Sequence, residues 1–217
     1  MTPYHKNTHG MSYFDLHTHN PEADKQHAIL NCSNHIPGRN ISLGTHPWDI
    51  TDNWQQQLTA IEDATARLNV IAIGECGLDK LKSLADIELQ KEIFRAHALL
   101  AERVEKPLII HCVKAYDELI AIHKEISPLQ AWIIHGFRGK PSQAEQLIRA
   151  GLYISLGELF NPDSARAIPA DRLFIESDES NRPITDIYAE VAKAKGMTIE
   201  ELALQTMQNA AKCNIIL

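Results

Sequence analysis

Eight short apolar runs punctuate the chain: SYFDLHTH (12–19), HAILNCS (27–33), NISLGTH (40–46), NVIAIGEC (69–76), KPLIIHCV (106–113), AWIIHGF (131–137), GLYISLG (151–157) and RLFIESD (172–178). They are rich in Ile, Leu and Val, as strands buried on both faces must be. Between them the apolar spacing turns helical. It predicts a helix capped by Thr51 or Asp52 and running to about Leu68, and a long one capped by Ser83 from Leu84 to about Glu105. Others are predicted over Tyr116–Ile126, Ser142–Ala150, Ile184–Lys195 and Thr198–Lys212. Pro107 and Gly151 fall just beyond helices, where stop signals belong. Repeated strand–helix alternation predicts an α/β fold, a (β/α)8 TIM barrel. The connections 20–26 and 34–40 are too short for helical crossovers, which need about 10–12 residues. The barrel is therefore expected to be distorted, with its first two crossovers shortened; a local antiparallel element is the alternative.

The strand ends carry the chemistry. In FDLHTHN, a period of two puts His17 and His19 on one face with Asp15, and Phe14, Leu16 and Thr18 on the other. His46 ends the third run, Glu75 the fourth, His111 the fifth, His135 the sixth and Asp178 the eighth. In a parallel barrel these ends meet at one mouth. Apolar strands have no packing reason to finish repeatedly in imidazole or carboxylate. His17, His19, Glu75, His111, His135 and Asp178 are therefore expected to hold metal. Six ligands exceed one tetrahedral ion, and four imidazoles favour zinc or manganese. The natural arrangement is two divalent ions (Zn2+, Mn2+ or Mg2+) bridged by Glu75 and a hydroxide. His17, His19 and Asp178 would serve one ion, His111 and His135 the other. Asp178 would orient the hydroxide and shuttle its proton. Glu176 and Asp15, each two residues below a ligand, are expected to hydrogen-bond neighbours and orient them. Asp79 is expected to order its loop. Trp48 is expected to pack on the rim, with base stacking as the alternative. His97, His123, His27 and His35 receive no role.

Composition narrows the class. The chain has 217 residues, 44% of them hydrophobic, enough for one large domain. The net charge of −7 argues against a generic nucleic-acid coat protein, though bound cations reverse the local field inside a site. Cys32, Cys76, Cys112 and Cys213 form no CxxC pair, which suits a reducing cytoplasm. No run is long and apolar enough for a membrane span. Residues 1–10, with His5 and His9, are expected to form a flexible leader before a single domain at 11–217, and Met11 is a plausible alternative start.

The ordered set FDLHTH, GTHP, IGECGLD, PLIIH, HGFRG and ESD resembles the motifs of TatD-type metal-dependent deoxyribonucleases of the amidohydrolase superfamily. The stretches from Thr198 (TIEEL) and Gln208 (QNAAK) are similar to that family's closing helices. The match runs in order from Phe14 to about Lys212. The resemblance implies an irregular TIM barrel, a two-metal centre on the ligands just named, and hydrolysis of DNA phosphodiesters by a metal-bridging hydroxide. Val113 stands where the family carries an arginine, Arg138 where it has Ser, Ser180 where it has Pro and Lys80 where it often has Tyr. Lys114 and Arg138, with His46, are the candidate substrate contacts. These departures touch substrate rather than metal. They keep open an amidohydrolase acting on a small ester, lactone or amide, and an inactive metal-binding barrel. No protein partner is inferable.

Overall fold

The computed structural model describes residues 12–32 and 38–217. Expectations for the leader at 1–10, for Met11 and for His35 lie outside the described residues. Eight strands form one parallel sheet in chain order: β1 (Asp15–Thr18), β2 (Ala28–Cys32), β3 (Ile41–Leu43), β4 (Val70–Asp79), β5 (Leu108–Val113), β6 (Trp132–Ile134), β7 (Tyr153–Leu156) and β8 (Leu173–Ile175). The helices are α1 (Trp54–Ala64), α2 (Ile87–Arg103), α3 (Tyr116–Ile126), α4 (Pro141–Arg149), α5 (Pro162–Ala167), α6 (Ile184–Lys195) and α7 (Ile199–Lys212). The sheet curls into the expected (β/α)8 barrel. Its seam is closed by Asp178 N–H donating to His17 O (2.9 Å) and His19 N–H donating to Asp178 O (3.0 Å). The barrel therefore closes through residues of the candidate site.

The first connection has no helix, and β1 and β2 still pair in parallel. Buried Arg39 ties it down: its guanidinium donates to Pro21 O and, at 3.0 Å, to Ala23 O. Those bonds replace the packing that a crossover helix would supply. Two helix starts differ from expectation. Asp86, not Ser83, caps α2, its carboxylate accepting from Leu89 N–H, because Ser83 Oγ instead donates to Pro47 O. Asn53, without a side-chain bond, precedes α1. Thr198 caps α7 in a reciprocal box with Glu201. The short helix α5, between the last two strands, has no counterpart in the sequence reading.

Two apolar clusters result. Leu43, Ile73, Leu108, Ile110, Ile134, Ile154 and Ile175 pack outward against Phe94, Ala98, Leu147, Tyr188 and Val191 of the helices. Leu16, Ile29, Ile109, Ile133 and Phe174 form the inner cluster. The last four stand two residues before Asn31, His111, His135 and Glu176, so the barrel holds an apolar layer directly beneath a polar one. Each fully buried side chain of this kind contributes roughly 1.5–3 kcal/mol. That layer is a firm floor for the site. Among the described residues no helix is long and apolar enough to cross a membrane.

Candidate metal centre

Glu75 is the centre of the polar layer. Its Oε1 lies 2.7 Å from His135 Nε2, 2.9 Å from His111 Nδ1 and 3.2 Å from His46 Nε2. Its Oε2 lies 3.3 Å from His17 Nε2 and 3.6 Å from His19 Nε2. One carboxylate thus divides five imidazoles between its two oxygens. Gly74 and Gly77 make this possible, because a Cβ at either would run into the β5 backbone at Ile109 or His111. Burial opposes charge on Glu75. The positive charge of His135 and hydrogen bonds from His111 and His135 outweigh it, holding the carboxyl well below the usual range.

The other ligand candidates converge as the strand ends imply. Asp178 Oδ1 stands 3.8 Å from His17 Nε2 and 3.7 Å from His19 Nε2. Burial and the neighbouring charge of Glu176 push its carboxyl upward. Three groups have donor atoms close enough to share an ion: His17, His19 and Glu75; His17, His135 and Asp178; His46, Glu75 and His111. All six expected ligands take part. His46, read as contacting substrate or ordering its loop, joins them while its Nδ1 accepts from Trp48 N–H at 3.1 Å, and His135 groups with β1 and β8 rather than with His111. The donors suit a divalent transition metal. His17 gives the sharper test of fit. Its ring is buried, and neither nitrogen has a hydrogen-bond partner among the described residues. A buried imidazole facing two carboxylates without a hydrogen bond of its own fits the donor set of a divalent cation.

Supporting groups orient these side chains. Glu176, fully buried, accepts from Gly136 N–H at 2.6 Å and faces His135 Nδ1 at 3.4 Å. Burial disfavours its charge, yet hydrogen bonding and charge from His135 lower its pKa. Asp15 too hydrogen-bonds a neighbour, but from another face. Its carboxylate accepts from Ser177 Oγ (2.6 Å) and Ser177 N–H (2.9 Å), while Leu16 joins the inner cluster. The register of β1 shifts between Asp15 and Thr18. This irregularity breaks the simple alternation, so the expectation that Asp15 shares the histidine face and Leu16 opposes it is corrected. Burial, only partly offset by Ser177, raises Asp15 to about 7.

Three residues without an assigned role in the site turn out to support it. Asn31 accepts from Glu75 N–H at 2.9 Å through a carbonyl that also accepts from Ser42 Oγ. It is the polar residue ending the second run, so the rule that found the ligands reaches it too. Asp79, read as loop-ordering, does accept from Leu81 and Lys82 N–H, but it also faces His111 Nε2 at 3.1 Å and accepts from Trp48 Nε1–H at 2.7 Å. Burial works against its charge, and these bonds hold it at about 2. His97, given no role, accepts from Thr45 N–H at 3.1 Å and so fixes the loop that carries His46. Of the remaining histidines, His27 pairs with Asp24 and His123 packs edge-on against Trp132. Cys76 and Cys112 pack in the outer cluster as expected. A cavity of about 660 Å³ opens over the centre, lined by Trp48, Lys82, Lys114 and Arg138 among others. Those cations offset the local carboxylates.

The model of one family, TatD related DNase, matches residues 10–214. An uncharacterized metal-dependent hydrolase of Bacillus subtilis, YabD, is 32% identical over 192 residues, covering 79% of this chain and 75% of that protein. A protein of Erwinia tasmaniensis named 3'-5' ssDNA/RNA exonuclease TatD is 29% identical over 197 residues, covering 79% of this chain and 76% of the relative. Among solved structures, the TatD homologue YjjV of Escherichia coli superposes with a TM-score of 0.81 at 22% identity, covering 94% of this chain and 98% of the other.

Proposed function

The chain belongs to the TatD-related DNase family of metal-dependent hydrolases, and on that premise we propose that it is a two-metal phosphodiesterase acting on single-stranded DNA. The observation that carries the reading is the Glu75 carboxylate, which offers one oxygen to His46, His111 and His135 and the other to His17 and His19. His17, His19 and Asp178 would hold one divalent ion, and His111 and His135, with His46 alongside, a second. Bound there, such ions supply an activated water and neutralise charge on the phosphate attacked.

The chain's own residues do the rest. Asp178 Oδ1, beside His17 and His19, would take the proton of the attacking water; burial and the charge of Glu176 raise its pKa. Glu176 and Asp79 keep His135 and His111 aimed inward. Lys114 and Arg138, at the cavity wall, hold phosphate oxygens in place of the family's arginine. The DNA assignment draws support from relatives named as exonucleases and from these cations on a chain whose net charge is −7. The family match from residue 10 to 214 supports one catalytic domain at 11–217. Four free cysteines support a reducing compartment such as the cytoplasm.

The test is cleavage of an end-labelled single-stranded oligonucleotide by wild type and Asp178→Asn, with zinc, manganese, magnesium or chelator. A ladder that requires metal and vanishes in the variant is expected. A protein that binds two metals per chain and leaves DNA intact would overturn the substrate and redirect the search to small esters and lactones.

A further inference from the structure

Trp48 is the misfit of the mouth. Its ring is 44% exposed, whereas Trp132 is 1% exposed. A tryptophan kept for packing alone gains nothing by projecting into an open cavity. Its indole N–H already donates to Asp79 at 2.7 Å, so the ring is fixed and asks for no further hydrogen bond. His46 and His111 meet it nearly edge-on, with interplanar angles of 81° and 75°. Over the ring lies the ammonium of Lys82, 4.5 Å from the centroid, on an exposed side chain. Leu81, 66% exposed, extends the apolar surface beside it.

We propose that Trp48 is a stacking platform for the base of a nucleotide adjoining the scissile phosphate, and that it gives the enzyme its preference for unpaired strands. The inference rests on the nuclease reading above. A flat aromatic held rigid beside Lys82, Lys114 and Arg138 has the chemistry that recognises single strands: a π-face for any base, and cations for the flanking phosphates. The cavity of about 660 Å³ lies within the range that takes a nucleotide-sized ligand. In a duplex the base faces are occupied by their neighbours, so the platform finds no partner there. His46 and His111 contact both the indole and Glu75, which places the stacked base next to the reacting centre.

The experiment compares Trp48→Leu, which removes ring and N–H, with Trp48→Phe, which keeps a ring and removes only the N–H. Each is assayed on a single-stranded oligonucleotide and on bis(p-nitrophenyl) phosphate, a diester with no base. Trp48→Leu is expected to raise KM on the oligonucleotide about tenfold more than on the small diester, the loss typical of one stacked base. Trp48→Phe should recover most of that difference. An abasic nucleotide at the stacked position should weaken wild type by a similar factor and Trp48→Leu hardly at all. In chelator, the oligonucleotide should quench tryptophan fluorescence in wild type but not in Trp48→Phe. Equal losses on both substrates in both variants would assign Trp48 a structural role through Asp79 and overturn the platform, as would an absence of quenching. A wild type that hydrolyses the small diester but no DNA would instead sink the nuclease reading, a result distinct from failure of the platform.

Discussion

The two halves of the metal centre are built differently. On the β4–β6 side, His111 is hydrogen-bonded by both Glu75 and Asp79, and His135 by Glu75, with its Nδ1 3.4 Å from Glu176 Oε1. On β1 and β8, buried His17 makes no hydrogen bond among the described residues, its Nε2 standing 3.3 Å from Glu75 Oε2, and Asp178 faces it and His19 at 3.7–3.8 Å. One half is tied together mainly by hydrogen bonds, the other by longer ion-pair approaches of 3.3–3.8 Å. The difference follows from the strands. β4 and β5 are long and mutually bonded as far as Asp79 and Val113. β1 is short and irregular, and joins β8 through an isolated bridge.

Glu75 joins the halves, so its loss should have the largest effect. Glu75→Gln keeps the shape but removes the charge shared by five histidines. Substituting residues that merely support metal ligands costs about 10–100-fold, so this substitution should cost more than that in both metal affinity and turnover. Wild type at a zinc concentration of about 100 times its Kd should gain about 2.7 kcal/mol, or roughly 5–10 °C in Tm for a domain of this size. Glu75→Gln should show almost no zinc-dependent gain. A variant that still binds two ions per chain by elemental analysis would break the account of Glu75 as the joint.

The contrast itself is sharpened in chelator. His17→Ala and His135→Ala both delete a buried ring, so their cavity costs are similar. His135→Ala also removes the larger share of the interactions that favour charge on Glu75 and Glu176, to which His17 contributes less. Removing one partner of a buried charged pair costs about 3–5 kcal/mol. Denaturant unfolding of the metal-free proteins should therefore find His135→Ala less stable than His17→Ala, by less than that full cost because His17 shares both carboxylates. Equal stabilities would mean that the two halves are alike before metal binds.

A smaller effect is expected from Asp79→Asn. The substitution keeps an acceptor for Trp48 and the loop amides but removes the charge facing His111. Turnover should drop about 10–100-fold, while the metal-free protein stays folded. An unchanged rate would confine Asp79 to ordering its loop.

How legible this was depended on whether one strand or several elements carried the information. The convergence of the candidate ligands was readable because each ends an apolar run and a parallel barrel brings those ends together. The helix-less first crossover was readable from its length, and Arg39, which holds it, was not, because its acceptors are main-chain carbonyls that no side-chain pattern reveals. Asp15 was placed on the wrong face since a register shift within a four-residue strand leaves no mark in the sequence. The role of Asp79 depends on Trp48 and His111, residues far away along the chain. His97 looked like any residue on the buried stripe of a helix, and its meaning lies in the loop amide that it meets.

That amide yields the last and smallest prediction. His97 is buried, with Nδ1 2.9 Å from Ile93 O and Nε2 3.1 Å from Thr45 N–H. A carbonyl only accepts and an amide only donates, so the ring must be neutral with its proton on Nδ1. Burial lowers its pKa to about 4, against about 6.5 in the unfolded chain. Between those values the unfolded state binds the extra proton, so this group's contribution is complete above pH 6.5 and is lost as pH falls toward 4. By pH 5 the loss is about 2 kcal/mol. The sign is opposite for His135, whose pKa burial lowers but Glu75 and Glu176 raise overall, well above the ordinary value. His97→Gln removes the titration while leaving an amide able to meet Thr45 N–H. Its stability relative to wild type, measured in chelator from pH 7.5 to 5, should improve as pH falls. Parallel curves would show that His97 does not titrate as a buried neutral ring, and the loop bearing His46 would then be held in some other way.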